Sequence, residues 1–247
     1  MKSTIAAKLI QLNREFYQTF ARQFSNTRMR LQPGVMQIIN RLPPNVRLLD
    51  LGCGNGELAR ELGQRGFDGI YVGLDSSESL ISIARQRFDP NYQAIFLNAD
   101  LSTLEWDKPL KTIPDLVLRP PYDRIFAFAV LHHLPGNAIR EQLFQKIRTL
   151  LSANGHFIHS EWQFLNSPRL RKRIQPWERA GLNALDVDPG DFLLDWRQGG
   201  SGLRYVHHFS LEELQELASR TGFDIRETFY SDGEGGNLAI YQVWEPI

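Results

Sequence analysis

The sequence predicts a doubly wound α/β sheet with mostly parallel strands. Three observations carry this expectation. Short apolar runs rich in leucine and β-branched residues alternate with helical runs over residues 46–161, as crossover connections between parallel strands require. The first run opens into a glycine-rich junction, Asp50-Leu51-Gly52-Cys53-Gly54-Asn55-Gly56. The length, 247 residues, suits one such domain with an insertion.

Taken in order, residues 46–51 (VRLLDL) read as a buried strand that ends at glycines. Residues 56–65 read as a helix with Leu58 and Leu62 four apart, and residues 70–75 (IYVGLD) as a second strand. Ser76 and Ser77 offer N-caps to a helix over 78–88, where Leu80, Ile81 and Ala84 share a face. A third strand covers 93–98 and a fourth lies around Arg124–Ala129. A helix follows over about 138–151, and a fifth strand follows Gly155.

The pattern then breaks. Residues 162–204 hold a basic helix and a Pro/Gly/Asp/Trp-rich stretch without clear periodicity, a length of irregular chain that usually serves as a lid or binding insertion. Order returns at Ser210-Leu211-Glu212-Glu213, a capping box for a helix ending near Gly222. Two last strands, near 223–230 and 237–244, flank the turn Asp232-Gly233-Glu234-Gly235-Gly236. The chain thus reads as a single domain in four parts: an N-terminal helical cover (1–45), a cofactor-binding core (46–161), an insertion or lid (162–209), and a C-terminal helix and hairpin (210–247).

Composition narrows the setting. The lone Cys53 permits no internal disulfide, which suits a reducing compartment. No apolar run approaches the ~20 residues of a membrane span, and residues 1–14 lack the apolar core of a signal peptide. A cytoplasmic location without membrane attachment is the expectation. Net charge is zero but unevenly spread. Residues 1–30 set Lys2, Lys8, Arg14, Arg22, Arg28 and Arg30 against Glu15 alone, and residues 166–179 set Arg169, Arg171, Lys172, Arg173 and Arg179 against Glu178 alone. Such asymmetry points to an anionic partner, or to solvated helix faces.

The glycine junction follows a strand, where open α/β sheets bind ligands. Glycines let backbone approach a ligand closely, and the next helix presents free N–H groups. Gly54-Asn55-Gly56-Glu57-Leu58-Ala59 fits the loose dinucleotide fingerprint, a weak match by itself. The surroundings favour S-adenosyl-L-methionine, which carries an ammonium, a carboxylate and no phosphate. Asp50 can orient the loop and face the cation. Asp75 ends the second strand, where a carboxylate can accept from both ribose hydroxyls, with Ser76 beside it. Asp100 follows the third strand, where it can accept from the adenine amino group, and Leu101 can pack on the ring. Gly52, Gly54 and Gly56 complete the crevice.

This arrangement resembles the class I methyltransferases, a Rossmann-like family, over roughly residues 46–161. The resemblance implies a seven-stranded sheet with the last, antiparallel strand inserted between the fifth and sixth. Ala127-Phe128-Ala129-Val130-Leu131-His132-His133-Leu134 is also similar to that family's fourth strand and its exit. By that likeness Ala129 and Val130 lie against the cofactor, and His132 or His133 faces the substrate. Arg119-Pro120-Pro121-Tyr122 looks like the motif of amino-directed DNA methyltransferases, but it precedes strand four and begins with a residue that cannot accept a hydrogen bond. It reads as a rigid entry to the strand. The six histidines make no zinc set, since His156 and His159 lie three apart in a strand and point to opposite faces. No metal is expected.

The ends of the chain carry a narrower likeness. Tyr17, Phe20, Ala21, Phe24, Ser25, Thr27 and Arg28 match the N-terminal motif of eukaryotic tRNA wobble-uridine carboxymethyl-ester methyltransferases. Arg204-Tyr205-Val206-His207-His208-Phe209 followed by Glu213-Leu214 is similar to that family's later segment, as are Asp191 to Trp196 and Gly236-Asn237. The chain departs where Asp195 replaces a proline, Val206 a tyrosine and Leu238 a tryptophan, and residues 108–121 look like an insertion. The resemblance implies methylation of a carboxylate on a tRNA uridine, with S-adenosyl-L-homocysteine as the second product. It implies tRNA as a partner and, as in some members, a small activating protein subunit. A carboxylate is already nucleophilic at neutral pH and needs no strong base, so an arginine clamp suits the reaction. Arg28 and Arg204 are the leading candidates for catalysis, with His132 and His207 beside them; Tyr17 and Arg28 also fall near the cofactor. The same core equally suits methylation of a small acid, amine or phenol, or a non-catalytic protein that binds the methyl donor.

Overall fold

The computed structural model describes residues 1–27, 30–88, 92–197 and 200–247, with the backbone alone for 22–27. Helix α1 (Ser3–Thr27) is amphipathic: Ala6, Leu9, Asn13, Phe16 and Phe20 recur every three or four residues and are buried. It bends at Phe20, where φ and ψ leave the helical region. Helix α2 (Pro33–Ile39) starts on a proline, whose fixed φ suits a first helical position. The first strand, β1 (Arg47–Leu51), puts Leu48, Leu49 and Leu51 out of solvent entirely. Each such leucine contributes about 1.5–3 kcal/mol of burial.

The alternating units follow as the sequence predicts: α3 (Glu57–Gln64), β2 (Ile70–Asp75), α4 (Glu78–Arg87), β3 (Gln93–Asn98), a short α5 (Lys108–Lys111), β4 (Tyr122–Phe128), α6 (Asn137–Leu150) and β5 (Leu151–Trp162). Ser77 caps α4 by accepting from the Leu80 N–H. The fifth strand begins before Gly155 because Tyr122 already pairs with Leu151, ahead of a register shift.

Next come α7 (Pro168–Arg171), β6 (Ile174–Gln175), β7 (Asp191–Trp196), β8 (Gly202–His207), α8 (Leu211–Thr221), β9 (Phe223–Ser231) and β10 (Ala239–Pro246). The main sheet has seven strands in the order β3-β2-β1-β4-β5-β10-β9, with β10 antiparallel to both neighbours. This is the strand insertion that the resemblance implies. One core lies between the sheet and α6 and α8, around Leu143, Phe144, Leu214 and Trp244. The other lies on the opposite face, around Val35, Leu58, Ile81 and Phe126.

The insertion differs from the sequence reading. The expected basic helix is a single turn, α7, after which the chain forms a separate antiparallel sheet, β6-β7-β8. Prolines bracket this change: Pro168 opens α7 and Pro176 follows β6. β7 and β8 are buried over most of their length without alternation, and charged or polar side chains take several of the buried positions. Asp191, Asp195, Arg204 and His207 are all buried there. Helix α1 lies along β8, joined by Asn13, which accepts from the Tyr205 N–H at 2.8 Å and donates to the Tyr205 carbonyl at 3.1 Å.

Candidate active site

The order of strands reverses between β1 and β4, so their carboxyl ends open a crevice. A cavity of about 440 Å³ occupies it, a size typical of small-molecule sites. Its walls include Tyr17, Asp50, Gly52, Gly54, Asp75, Ser76, Asp100, Leu101, Ala129, Val130, His132 and Arg204. The three acids read from the sequence thus share one cavity.

Each acid is held differently. Asp50 is buried at the end of β1 and accepts from the Tyr71 hydroxyl. Burial pushes its carboxyl up to about 7, the Tyr71 hydrogen bond opposes this, and the nearby Asp75 charge adds to it. Asp75 accepts from the Gly54 N–H at 3.0 Å and the Ser77 N–H at 2.8 Å, one on each oxygen. It therefore pins the glycine loop to the start of α4. Burial raises its pKa, and those two N–H groups partly offset the rise. Asp100 accepts from the backbone and hydroxyl of Ser102 on one oxygen and from Arg14 at 2.6 Å on the other. Burial opposes its ionisation, but Ser102 and Arg14 outweigh it and hold the carboxyl below its usual range.

Neither Asp50 nor Asp75 forms an ion pair among the described residues. A ligand that brings its own positive charge and sugar hydroxyls fits this lining. A pyrophosphate would meet two carboxylates at the loop that should cradle it. The residues present therefore fit S-adenosylmethionine and disfavour the dinucleotide reading.

The strand-four exit closes one wall. Ala129 adopts φ 57°, a left-handed conformation uncommon for a residue with a side chain. Its N–H is held by the Ser160 carbonyl at 3.0 Å and the Ser160 hydroxyl at 3.1 Å. Beyond it, His132 is buried with Nδ1 3.4 Å from a Glu161 oxygen. Burial keeps Glu161 well above the carboxylate range, a rise that the Arg140 charge and the His132 N–H reduce and the Glu213 charge reinforces. His133 faces Tyr17. Its Nδ1 lies 3.3 Å from the Tyr205 carbonyl, which can only accept, so Nδ1 carries a proton, and Nε2 lies 2.7 Å from the Tyr17 hydroxyl.

Arg204 reaches the cavity from β8. Only 8% exposed, its guanidinium sits 4.9 Å from the Trp162 ring and 5.6 Å from those of Phe16 and Trp196.

Two expected site residues are elsewhere. His207 is 1% exposed, with Nδ1 2.7 Å from Asp191 and Nε2 2.8 Å from Glu213. It lies three residues after Arg204 on one strand, so the two point to opposite faces; His207 ties the small sheet to α8. Gly56 does not line the cavity. It starts α3 with φ 74°, and a Cβ there would lie 2.9 Å from that of Ala84. The expectation for Arg28 falls outside the described residues. Among the described residues no group of three His, Cys, Asp or Glu is disposed to hold a metal ion, and no helix is long and apolar enough to cross a membrane.

Of the wall that α1 supplies, the sequence reading finds Tyr17 and misses the rest. Ile10, Asn13 and Arg14 line the cavity with Tyr17, spaced three, one and three apart along α1. That spacing is a helix face, visible once residues 3–27 are read as one helix. The sequence shows Asp232 only as a turn residue. It accepts from the Gly34 N–H at 2.9 Å and the Tyr241 hydroxyl at 2.7 Å, which seats α2 at the cavity rim.

Comparison with known proteins agrees with this geometry. Over 216 residues the chain is 28% identical to the tRNA (carboxymethyluridine(34)-5-O)-methyltransferase of Mus musculus, covering 83% of this chain and 29% of that protein. It therefore spans under a third of that relative's length. It is 24% identical to a putative methyltransferase of Encephalitozoon cuniculi, over 85% of this chain and 86% of the relative. A trans-aconitate 2-methyltransferase of Variovorax paradoxus is 34% identical over 114 residues, 46% of this chain and 38% of the relative. A solved S-adenosylmethionine-dependent methyltransferase from Methanosarcina mazei shares the fold with TM-score 0.62 and 22% identity, covering 87% of this chain and 96% of that one. The model of the methyltransferase domain family matches residues 20–228, most of the chain, and with this match the protein belongs to that family.

Proposed function

We propose that the protein methylates a carboxylate on a modified uridine of tRNA to a methyl ester. The observation that carries this reading is Arg204: a buried guanidinium, framed by three aromatic rings, on the wall of the cofactor cavity. A cation fixed there suits an anionic acceptor. The tRNA relative and the trans-aconitate relative both act, by name, on carboxylates.

When bound, S-adenosylmethionine would supply a methyl group on a positively charged sulfur, with the neutral thioether S-adenosylhomocysteine as the leaving group. The chain's own residues bind and orient. Asp50 and the Gly52–Gly54 loop would hold the amino-acid end, Asp75 with Ser76 the ribose, and Asp100 with Leu101 the adenine. Ala129 and Val130 flank the centre. Arg204 holds the acceptor carboxylate in line, and the gain is one of positioning, since no proton must be removed. His132, packed on Glu161, shapes the acceptor end.

The test is incubation of the protein with labelled methyl donor and bulk tRNA lacking the ester, followed by nucleoside analysis. Label in a wobble-uridine ester is expected. Inert tRNA, with label passing only to added small carboxylic acids, would overturn the tRNA reading in favour of a small-acid enzyme, a reading that zero net charge also suits. Arg204→Gln separates acceptor from cofactor. Loss of a hydrogen-bonded charge costs ~1.5–3 kcal/mol, so kcat/KM for the acceptor should fall roughly 10- to 100-fold while S-adenosylhomocysteine affinity stays near that of the wild type. Equal losses in both would place Arg204 in the cofactor's own binding.

Arg14 closes α1 over Asp100. Both side chains are partly exposed, 48% and 27%, so the bridge contributes no more than ~1 kcal/mol. Arg14→Ala should leave the melting temperature nearly unchanged and speed S-adenosylhomocysteine release a few-fold at low salt, the difference shrinking as salt rises. Stopped-flow release rates identical to the wild type would show that the bridge does not gate the cofactor.

A further inference from the structure

We infer that the outer edge of the small sheet, with the turn that leads into it, binds the phosphate backbone of the substrate RNA beside the methylated nucleotide. This rests on the tRNA reading above and adds to it where the chain holds the RNA.

The register fixes the placement. Ile174 on β6 pairs with Leu194 on β7, and Leu194 pairs with Arg204 on β8. Arg204 and Ile174 therefore stand on one line across three strands. At about 4.8 Å between strands they are about 10 Å apart, close to three stacked nucleotide steps of about 3.4 Å. The chain reaches Ile174 through Arg169, Arg171 and Lys172, all exposed, and the half-buried Arg173; exposed Arg179 follows. Among the described residues none of these five is in an ion pair; Arg179 donates to the Gln175 side chain. Elsewhere the surface pairs many of its cations: Arg41 with Glu227, Arg65 with Glu61, Lys146 with Asp107, Arg220 with Glu141. Arg169, Arg171, Lys172, Arg173 and Arg179 stand against Glu178 alone in this stretch of a chain of zero net charge, and so create a local field suited to a polyanion beside the strand that lines up with Arg204.

A charged edge also discourages strand-to-strand aggregation. That need is already met here, because β6 has two residues and is followed by Pro176. Three of the cations moreover sit on the turn before the strand. An anionic membrane is less well matched, since insertion needs an apolar face and among the described residues of this insertion Leu185 is the only exposed large apolar side chain.

The test is a triple variant, Arg169→Gln, Arg171→Gln and Lys172→Gln, compared with wild type in tRNA binding and methylation between 50 and 200 mM salt, roughly the range over which phosphate contacts are read. The slope of log K against log salt should fall in magnitude by about 2, at ~0.7 per lost contact to single-stranded RNA. KM for tRNA should rise at least tenfold, with kcat and S-adenosylhomocysteine affinity unchanged. A second variant, Arg169→Lys with Arg171→Lys, keeps the charge and should retain the wild-type slope, which separates charge from folding. If wild type methylates tRNA and the glutamine variant matches its slope and KM, this surface is wrong and the function stands. If wild type neither binds nor methylates tRNA, the function fails and this surface fails with it. Loss of binding to phosphatidylserine-containing phosphatidylcholine vesicles, with tRNA binding intact, would overturn the inference in favour of a lipid surface.

Discussion

Replacing Asp50 by asparagine should stabilise the cofactor-free protein above pH 7 while removing most of its affinity for the methyl donor. Asparagine keeps an oxygen for the Tyr71 hydroxyl to donate to and removes the buried charge. The wild-type carboxyl titrates at about 7 in the fold against 3.8 for an unperturbed group, chiefly because it is buried. Between those values the folded chain keeps a proton that the unfolded chain releases, so wild-type stability falls as pH rises from about 4 to 7 and is level above. A shift of about three pKa units corresponds to about 4 kcal/mol. At pH 8 the variant should unfold on the order of 10 °C higher, at ~2–4 °C per kcal/mol for a chain of this size, and at pH 4 the two should coincide. Affinity runs the opposite way with pH. Only the ionised carboxylate attracts an ammonium, so wild-type binding of S-adenosylhomocysteine should strengthen as pH rises through about 7. The variant should lack that rise and bind roughly 100- to 1000-fold more weakly at pH 8, in line with the ~2–5 kcal/mol typical of a lost buried charge pair. Thermal unfolding at pH 4 and 8 and calorimetric titration at pH 6 and 8 check both halves. A variant that binds the product as tightly as wild type would remove Asp50 from the cofactor's amino-acid end.

What could be read in the sequence follows from how local each signal is. Asp50, Asp75 and Asp100 each end a strand or follow it directly, so the fold that predicts the strands also brings the acids together. Ala129 and Val130 came from the likeness of the β4 exit to the class I methyltransferases, and both line the same cavity. The small sheet was hidden because its buried polar residues find partners far away in the chain: Arg140 donates to the Tyr205 hydroxyl at 3.1 Å and to Glu213 at 3.1 Å, and His207 joins Asp191 to Glu213. With those partners unknown, charges inside β7 and β8 look like loop. The same ignorance made His207 resemble a site residue, although strand alternation from Arg204 sets it on the other face. Asn13 and Arg14 escaped notice for a related reason. A helix face shows which residues lie together, but only docking on β8 shows that this face meets the cavity rather than solvent.

The glycines of the loop separate two ways of failing, and the separation is the stricter test of the site. Gly52 and Gly54 both have positive φ, 75° and 55°, so alanine at either costs ~1–2 kcal/mol of backbone strain. Their surroundings differ. A Cβ on Gly52 would stand 2.4 Å from a Val130 methyl, whereas one on Gly54 meets nothing within 4 Å. Gly52→Ala must therefore push Val130 and the strained Ala129 beside it, at a further ~1–3 kcal/mol for overpacking. It should lose roughly 2–5 kcal/mol of stability together with activity. Gly54→Ala should lose only the strain, stay folded at 25 °C, and still bind S-adenosylhomocysteine poorly, because its new methyl group projects into the cavity. Val130→Ala removes the atom that Gly52→Ala strikes. The double variant Gly52→Ala, Val130→Ala should recover most of the overpacking loss but not the strain, giving a coupling of ~1–3 kcal/mol in a double-mutant cycle. Denaturant titrations of the four proteins measure that coupling. Strict additivity would mean that β1's loop and β4's exit do not touch, and a cofactor wall built from both could not then be sustained.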